Sequence, residues 1–190
     1  MVLNDTVIMT ENTETHPREP FIPDGAVMLM LGSFPPPRAR WSMEFYYPNL
    51  QNDMWRIFGL VFFSDRNHFM EPGLKAFSKD RLEKFLREKR IALSDTAVQV
   101  IRHKGNASDA FLEITNPRDV GALLDTIPDC TAIVTTGEKA TDTLCLFTGA
   151  AKPPVGGYPK LTNAGRTVRH YPMPSSSRAY PQPCPLPPPP

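Results

Sequence analysis

Apolar and polar positions fall in blocks along this chain, and the blocks change period. Ala26 to Leu31 (AVMLML) is an unbroken apolar run, the pattern of a strand buried on both faces. Gly32-Ser33 and then Pro35-Pro36-Pro37 stop it, because proline donates no backbone hydrogen bond and stiffens the loop. Asn52 to Phe62 (NDMWRIFGLVF) predicts a helix, apolar almost all round and therefore buried, with Asn52 or Asp53 as its cap. Asp80 to Arg90 predicts an amphipathic helix with Leu82, Phe85 and Leu86 on one face. Ile91 to Ile101 contains a second strand region. Asn116-Pro117 opens a helix in the favoured order of cap then proline, with Val120, Leu123, Leu124 and Ile127 as its stripe. Thr131 to Thr136 (TAIVTT) is a third strand, stopped by Gly137. Glu138 to Phe147 is a further helix, and Thr167 to Tyr171 a last strand.

Strands that alternate with helices predict an α/β fold, with a parallel sheet covered on both faces. Ligands bind such sheets beyond the C-terminal ends of the strands. Four loops are singled out on that ground: after Leu31, around Ser94-Asp95, after Thr136 and after Tyr171.

A length of 190 residues at 41% hydrophobic content fits one domain, large enough to bury a core without disulfides or metals. No run approaches the ~18 apolar residues of a membrane helix. Residues 1–24 lack the basic-then-apolar pattern of a secretory signal. With three scattered cysteines, Cys130, Cys145 and Cys184, this fits a reducing, cytoplasmic setting. No pairing of Cys or His has metal-ligand spacing, so no metal is expected. Residues 1–24 hold five acids and one base and are expected to be a flexible acidic lead-in. The domain then spans 25–180. Nine of the 22 prolines lie from Pro172 onward, and 181–190 is a proline-rich tail. Two segments carry arginine and no acid: Gly32 to Met43, with Arg38 and Arg40, and Gly165 to Pro190, with Arg166, Arg169 and Arg178. Together they could meet at an anionic ligand, although on composition alone ordinary surface charge is the better explanation.

Two of the four loops carry unusual sequence. The first is Gly32-Ser33-Phe34-Pro35, running on to Phe45-Tyr46-Tyr47 and Asn52-Asp53-Met54-Trp55. The last is Met173-Pro174-Ser175-Ser176-Ser177. Together they resemble the two signature segments of the uracil-DNA glycosylase superfamily. The tyrosine pair followed by Asn-x-x-Trp is most similar to its hypoxanthine-DNA glycosylase-like and mismatch-specific branches. The resemblance covers roughly residues 26–180. It implies a three-layer α/β/α sandwich around a central, mostly parallel four-stranded sheet. It also implies a monofunctional glycosylase that flips a deaminated base (hypoxanthine, xanthine or uracil) out of double-stranded DNA and hydrolyses its glycosidic bond.

Residue by residue, the resemblance implies the following. Asn52 positions water, with the neighbouring carboxylate of Asp53 as the other candidate. Gly32, Ser33, Phe34, Tyr46 and Tyr47 form the base pocket. Asp95 reads the base edge, with Ser94 sharing that assignment. Pro174, Ser175, Ser176, Ser177 and Arg178, with Arg38 and Arg40, meet DNA. Each of these residues also has a plain structural use: caps for Asn52 and Asp53, core for Phe34 and the tyrosines, a linker for the serines. The chain departs from the pattern in three places. Ser33 and Phe34 stand where several branches carry an acid or Asn, Met173 stands where active uracil enzymes carry His or Asn, and Tyr180 leads into prolines where relatives continue into a helix. No cofactor is implied, and no amine placed for lyase chemistry is evident. Nothing calls for an obligate dimer, so a monomer is expected. The departures keep two alternatives open: a catalytically weak or inactive DNA-damage binder, and a binder of a small nucleobase or nucleotide.

Overall fold

A computed structural model describes residues 13–103, 109–163 and 165–179. Eight strands and four α-helices follow in order. They are β1 (Thr13–Thr15), β2 (Met28–Gly32), α1 (Met54–Phe63), α2 (Lys79–Lys89), β3 (Ile91–Asp95), β4 (Ala97–Arg102), β5 (Leu112–Pro117), α3 (Val120–Asp125), β6 (Ala132–Thr136), α4 (Glu138–Thr148), β7 (Lys160–Asn163) and β8 (Arg166–Met173).

The central sheet has five strands in the order β3-β2-β6-β8-β7. β3, β2, β6 and β8 run parallel, and β7 pairs antiparallel with β8 at the edge. The expectation of four strands is corrected by that short hairpin partner. KLTN has no apolar run, because an edge strand is covered on fewer sides. Met30 and Leu93 point to one face, where Trp55 of α1 and Leu82, Phe85 and Leu86 of α2 cover them. Leu29, Leu31, Ala92 and Ile133 point to the other, against Leu123 and Leu124 of α3 and Leu144 of α4. Alternate residues of one strand therefore feed two cores, which is why the strands read as continuous apolar runs.

A second sheet, wholly antiparallel, has the order β1-β4-β5. The region Ile91 to Ile101 thus holds two strands of two different sheets. The chain changes sheets at Thr96, whose N–H donates to the Gly32 carbonyl at 2.9 Å. Asn116-Pro117 does not open a helix. It ends β5, the outer strand of this sheet, where a proline without an N–H is tolerated. α3 starts at its own cap, Asp119, whose Oδ1 accepts from the N–H of Ala122 at 2.8 Å.

Residues 13–24 are not a loose lead-in. β1 pairs with β4, and Phe21 exchanges two backbone hydrogen bonds with Leu93, both 2.9 Å. Phe21 then packs edge-on against Phe45 at 5.3 Å. Residues 1–12 and the proline tail 181–190 lie outside the described residues. The arginines of the last basic segment separate. Arg166 caps the carbonyls of Leu124, Ile127 and Pro128 beyond α3, while Arg178 lies past the C-terminal end of β8.

Candidate active site

The C-terminal ends of β2, β3, β6 and β8 are Gly32, Asp95, Thr136 and Met173. Beyond them opens a cleft of about 810 Å³. All four loops singled out by topology contribute to it: Gly32 to Phe34, Asp95, Thr136-Gly137 and Ser175 to Arg178. A cleft of this size admits a small organic ligand.

Its floor is crowded. A Cβ on Gly32 would stand 2.3 Å from Asp95 Oδ1 and 3.4 Å from the Tyr47 hydroxyl. Glycine is what lets the carboxylate lie against the strand end. Tyr47 holds a left-handed backbone (φ 47°) and places its hydroxyl 2.9 Å from Thr136 Oγ1, tying the first loop to β6. Burial and then the Asp95 charge push the Tyr47 hydroxyl well above the usual tyrosine range, so it stays a neutral donor. Tyr46 is buried, lines the cleft and donates to the Glu19 carbonyl at 3.0 Å. Phe34 is both wall and core: it lines the cleft and packs with Ala97, Val100 and Leu112. Ser33 also lines it, and donates to Asp109 Oδ2 at 2.8 Å.

Asp109 was not expected. Burial pushes its carboxyl above the ordinary range, the Ser33 hydrogen bond opposes this and the Asp95 charge adds to it. His16 was not expected either. Its side chain is 2% exposed, and Nε2 lies 2.8 Å from Asp95 Oδ2. Its sequence neighbours TETHPRE carry no hydrophobic alternation. The signal they do carry is alternation of burial in charged and polar residues: Glu14 pairs with Arg102, His16 with Asp95 and Arg18 with Glu44.

Of the pair Ser94 and Asp95, only Asp95 reaches the cleft. Ser94 is 1% exposed and donates to the Asp95 carbonyl at 3.3 Å. His170 is fully buried in β8, 2.8 Å from Thr135 Oγ1, and burial pulls its imidazole below the ordinary range.

The two signature loops meet along one seam. Asn52 bridges to Ser177, Asp53 N–H donates to the Ser176 carbonyl (2.8 Å), and Arg178 N–H donates to the Gln51 carbonyl (2.9 Å). The serine run is therefore a seated segment and not a linker. Asn52 Oδ1 accepts from Met54 N–H at 3.0 Å and from Ser176 Oγ at 2.8 Å. A backbone N–H can only donate, so the amide is oriented with Nδ2 as its remaining donor.

Asp53 does not fit the expected role of water activator. It does not line the cleft, and Arg178 and Arg56 hold its oxygens at 2.8 and 3.0 Å. Burial alone would raise its carboxyl, but those guanidiniums, Arg178 first, bring it below the usual carboxylate range. A carboxylate stabilised in that way is a poor base. Arg178 lines the cleft while bound to Asp53. Arg40 lines it too, whereas Arg38 is paired with Glu44 and stacked over Trp41, away from it. Pro174 precedes the serines without lining the cleft, and Met173 is half-exposed and does not line it either.

Among the described residues no three His, Cys, Asp or Glu side chains gather to hold a metal ion, and no helix is long and apolar enough to cross a membrane. No family model matches the chain, and no curated protein matches it. A solved structure does. The solution NMR structure of a candidate uracil DNA glycosylase from Methanosarcina acetivorans has a similar fold, with a TM-score of 0.57. It is 24% identical, over 85% of this chain and 83% of that one. At that identity the likeness establishes the α/β fold.

Proposed function

We propose that this chain is a DNA glycosylase that hydrolyses the N-glycosidic bond of a deaminated base flipped out of double-stranded DNA. One observation carries the reading: residues of two loops far apart in sequence, within 32–52 and 175–178, join at the C-terminal edge of the sheet and wall a single cleft. The fold likeness supports it.

In this reading Phe34, Tyr46 and Tyr47 enclose the base, and Asp95 accepts from its N–H edge. A carboxylate acceptor favours bases with a lactam N–H, such as hypoxanthine, xanthine or uracil. Asn52 directs Nδ2–H at the attacking water. The water oxygen bonds to the anomeric carbon, and the base leaves with the electrons of the glycosidic bond. The water's proton goes to solvent or to the departing base, and an abasic site remains. An amide orients water without deprotonating it, and that is enough for an oxocarbenium-like path, which needs little help from the nucleophile. Arg40 and the Ser175 to Arg178 loop meet the phosphates through hydroxyls, backbone N–H groups and charge.

A second reading, a damage binder without catalysis, is favoured by Met173. It stands where active relatives stabilise the departing base, and it does not line the cleft. One assay separates the two. Labelled duplexes carrying uracil, hypoxanthine or xanthine are incubated with the protein and then with alkali. Strand cleavage that Asn52→Ala abolishes supports the glycosylase. Damage-dependent binding with no cleavage from any duplex sinks it in favour of the binder.

A further inference from the structure

We propose that His16 is a positioning residue of this cleft. It donates Nε2–H to Asp95 in both of its charge states and so keeps that carboxylate a fixed acceptor for the N–H edge of a base. The inference rests on reading the cleft as a base pocket, and it adds a part of the chain that the resemblance did not include.

The other ring nitrogen has a partner for either charge state. Nδ1 lies 2.8 Å from the Arg18 carbonyl and 3.1 Å from the Arg18 N–H. When the ring is cationic, Nδ1–H donates to the carbonyl. When it is neutral, bare Nδ1 accepts from the N–H. One residue satisfies both states, and Nε2 keeps its proton in each. The opposite neutral tautomer would set a lone pair against a carboxylate oxygen at 2.8 Å.

The ring has little room to turn. Phe34 meets it edge-on at 5.4 Å, and Tyr46 lies roughly parallel at 6.2 Å. The backbone carrying it is held on both sides. His16 N–H donates to the Val98 carbonyl (2.7 Å), Tyr46 bonds Glu19, and Arg18 bonds both the carbonyl and the carboxylate of Glu44. Asp95 is held as well. Its Oδ2 accepts from His16 Nε2–H, its Oδ1 lies over Gly32, and its carbonyl accepts from Arg118 Nε at 3.1 Å. The other titratable and charged groups around it are Asp109, Tyr46, Tyr47 and the Arg118 guanidinium on its backbone carbonyl. Both tyrosines are neutral, so the imidazole is the nearby side chain placed to hold the carboxylate's orientation. A carboxylate buried with one oxygen engaged offers the other in one direction, and an N–H donor of the ligand meets it with no reorganisation.

Two measurements on the full chain test this. The first is the ring tautomer of His16 by long-range proton–nitrogen NMR, from acid to alkaline pH. The expected result is a proton on Nε2 throughout. A neutral form with its proton on Nδ1 overturns the proposal, whatever the activity. The second is the excision rate on deoxyuridine and deoxyinosine duplexes for wild type, His16→Leu and His16→Gln, with thermal melts confirming that each variant folds. The leucine variant is expected to lose about ten- to a hundredfold in kcat/KM, because a buried charge loses its donor. Glutamine restores an N–H donor and is expected within about threefold of wild type. Equal kcat/KM for leucine variant and wild type overturns the positioning role. If wild type excises nothing while the proton sits on Nε2, the glycosylase reading fails. The recognition role then falls with it, and the hydrogen bond stands as architecture.

Discussion

Two carboxylates, one lining the cleft and one just behind its wall, behave differently. Asp95 ends a buried parallel strand, meets one imidazole, and leaves its other oxygen over Gly32 on the floor of the cleft. Asp53 sits before α1 among Arg178, Arg56 and, at 3.9 Å, Arg66. In the proposed function the first is held for a ligand, whereas the second is used up in holding two loops together. Proximity to a signature motif therefore says less about a carboxylate's task than the number of cations already satisfying it.

The largest effect expected from this contrast is on excision. Asp95→Ala should reduce single-turnover cleavage of the preferred duplex at least about a hundredfold, while Asp53→Ala should reduce it only severalfold, through a looser seam. Equal losses would erase the distinction. Next is Gly32→Ala. The new Cβ falls 2.3 Å from Asp95 Oδ1, so the carboxylate must move. The expected loss is about tenfold in excision and about 1–3 kcal/mol in stability, read by urea unfolding. Were the melt and the activity both unchanged, the floor would have slack that the packing denies.

A smaller effect concerns pH. The Asp53 carboxyl is depressed in the folded protein, so its pairing stabilises the fold above the ordinary carboxylate range. That contribution disappears as pH falls through the folded value. Arg178 is 39% exposed on its side chain, so solvent screening limits the contribution to about 1 kcal/mol or less. Asp53→Asn should flatten the acid limb of a Tm-against-pH curve by that amount. His170 must be separated from it. Burial lowers its pKa, so the unfolded chain takes up a proton first, and stability falls as pH drops below about 6.5. His170→Gln should remove the upper part of the acid limb and leave the lower part to Asp53. A curve that keeps both parts in both variants would mean that neither group is the source.

The parts of the fold that could be read from sequence were those with apolar signatures. AVMLML and TAIVTT are flanked by other strands on both sides, and burial on both faces shows as an unbroken run. The loops at their ends followed from topology. Gly32, Phe34, both tyrosines, Asn52 and Asp95 were picked out within or after them by the family resemblance, and all six line the cleft. What escaped was structure whose buried side chains are polar. His16 and Arg18 point inward and the part-exposed Glu14 holds the buried Arg102, all through ionic or hydrogen-bonding partners, so a search for hydrophobic alternation passes over them. Asp109 escaped because its role depends on Ser33, which lies 76 positions away. Pro117 misled because the same dipeptide suits a helix start and the end of an outer strand. Only tertiary context decides between them.

The ladder between β1 and β4 sets Thr13 opposite Ile101, Glu14 opposite Val100 and Thr15 opposite Gln99. In a pleated strand neighbouring side chains leave on opposite faces, so position along this ladder counts in whole steps. Removing or adding one residue between Thr13 and His16 would not shift the imidazole by a few ångströms. It would send it to solvent and bring Thr15 or Pro17 to face Asp95. The first strand thus works as a ruler with two readings, and whole-residue changes in its length are the ones to avoid when engineering this end of the chain.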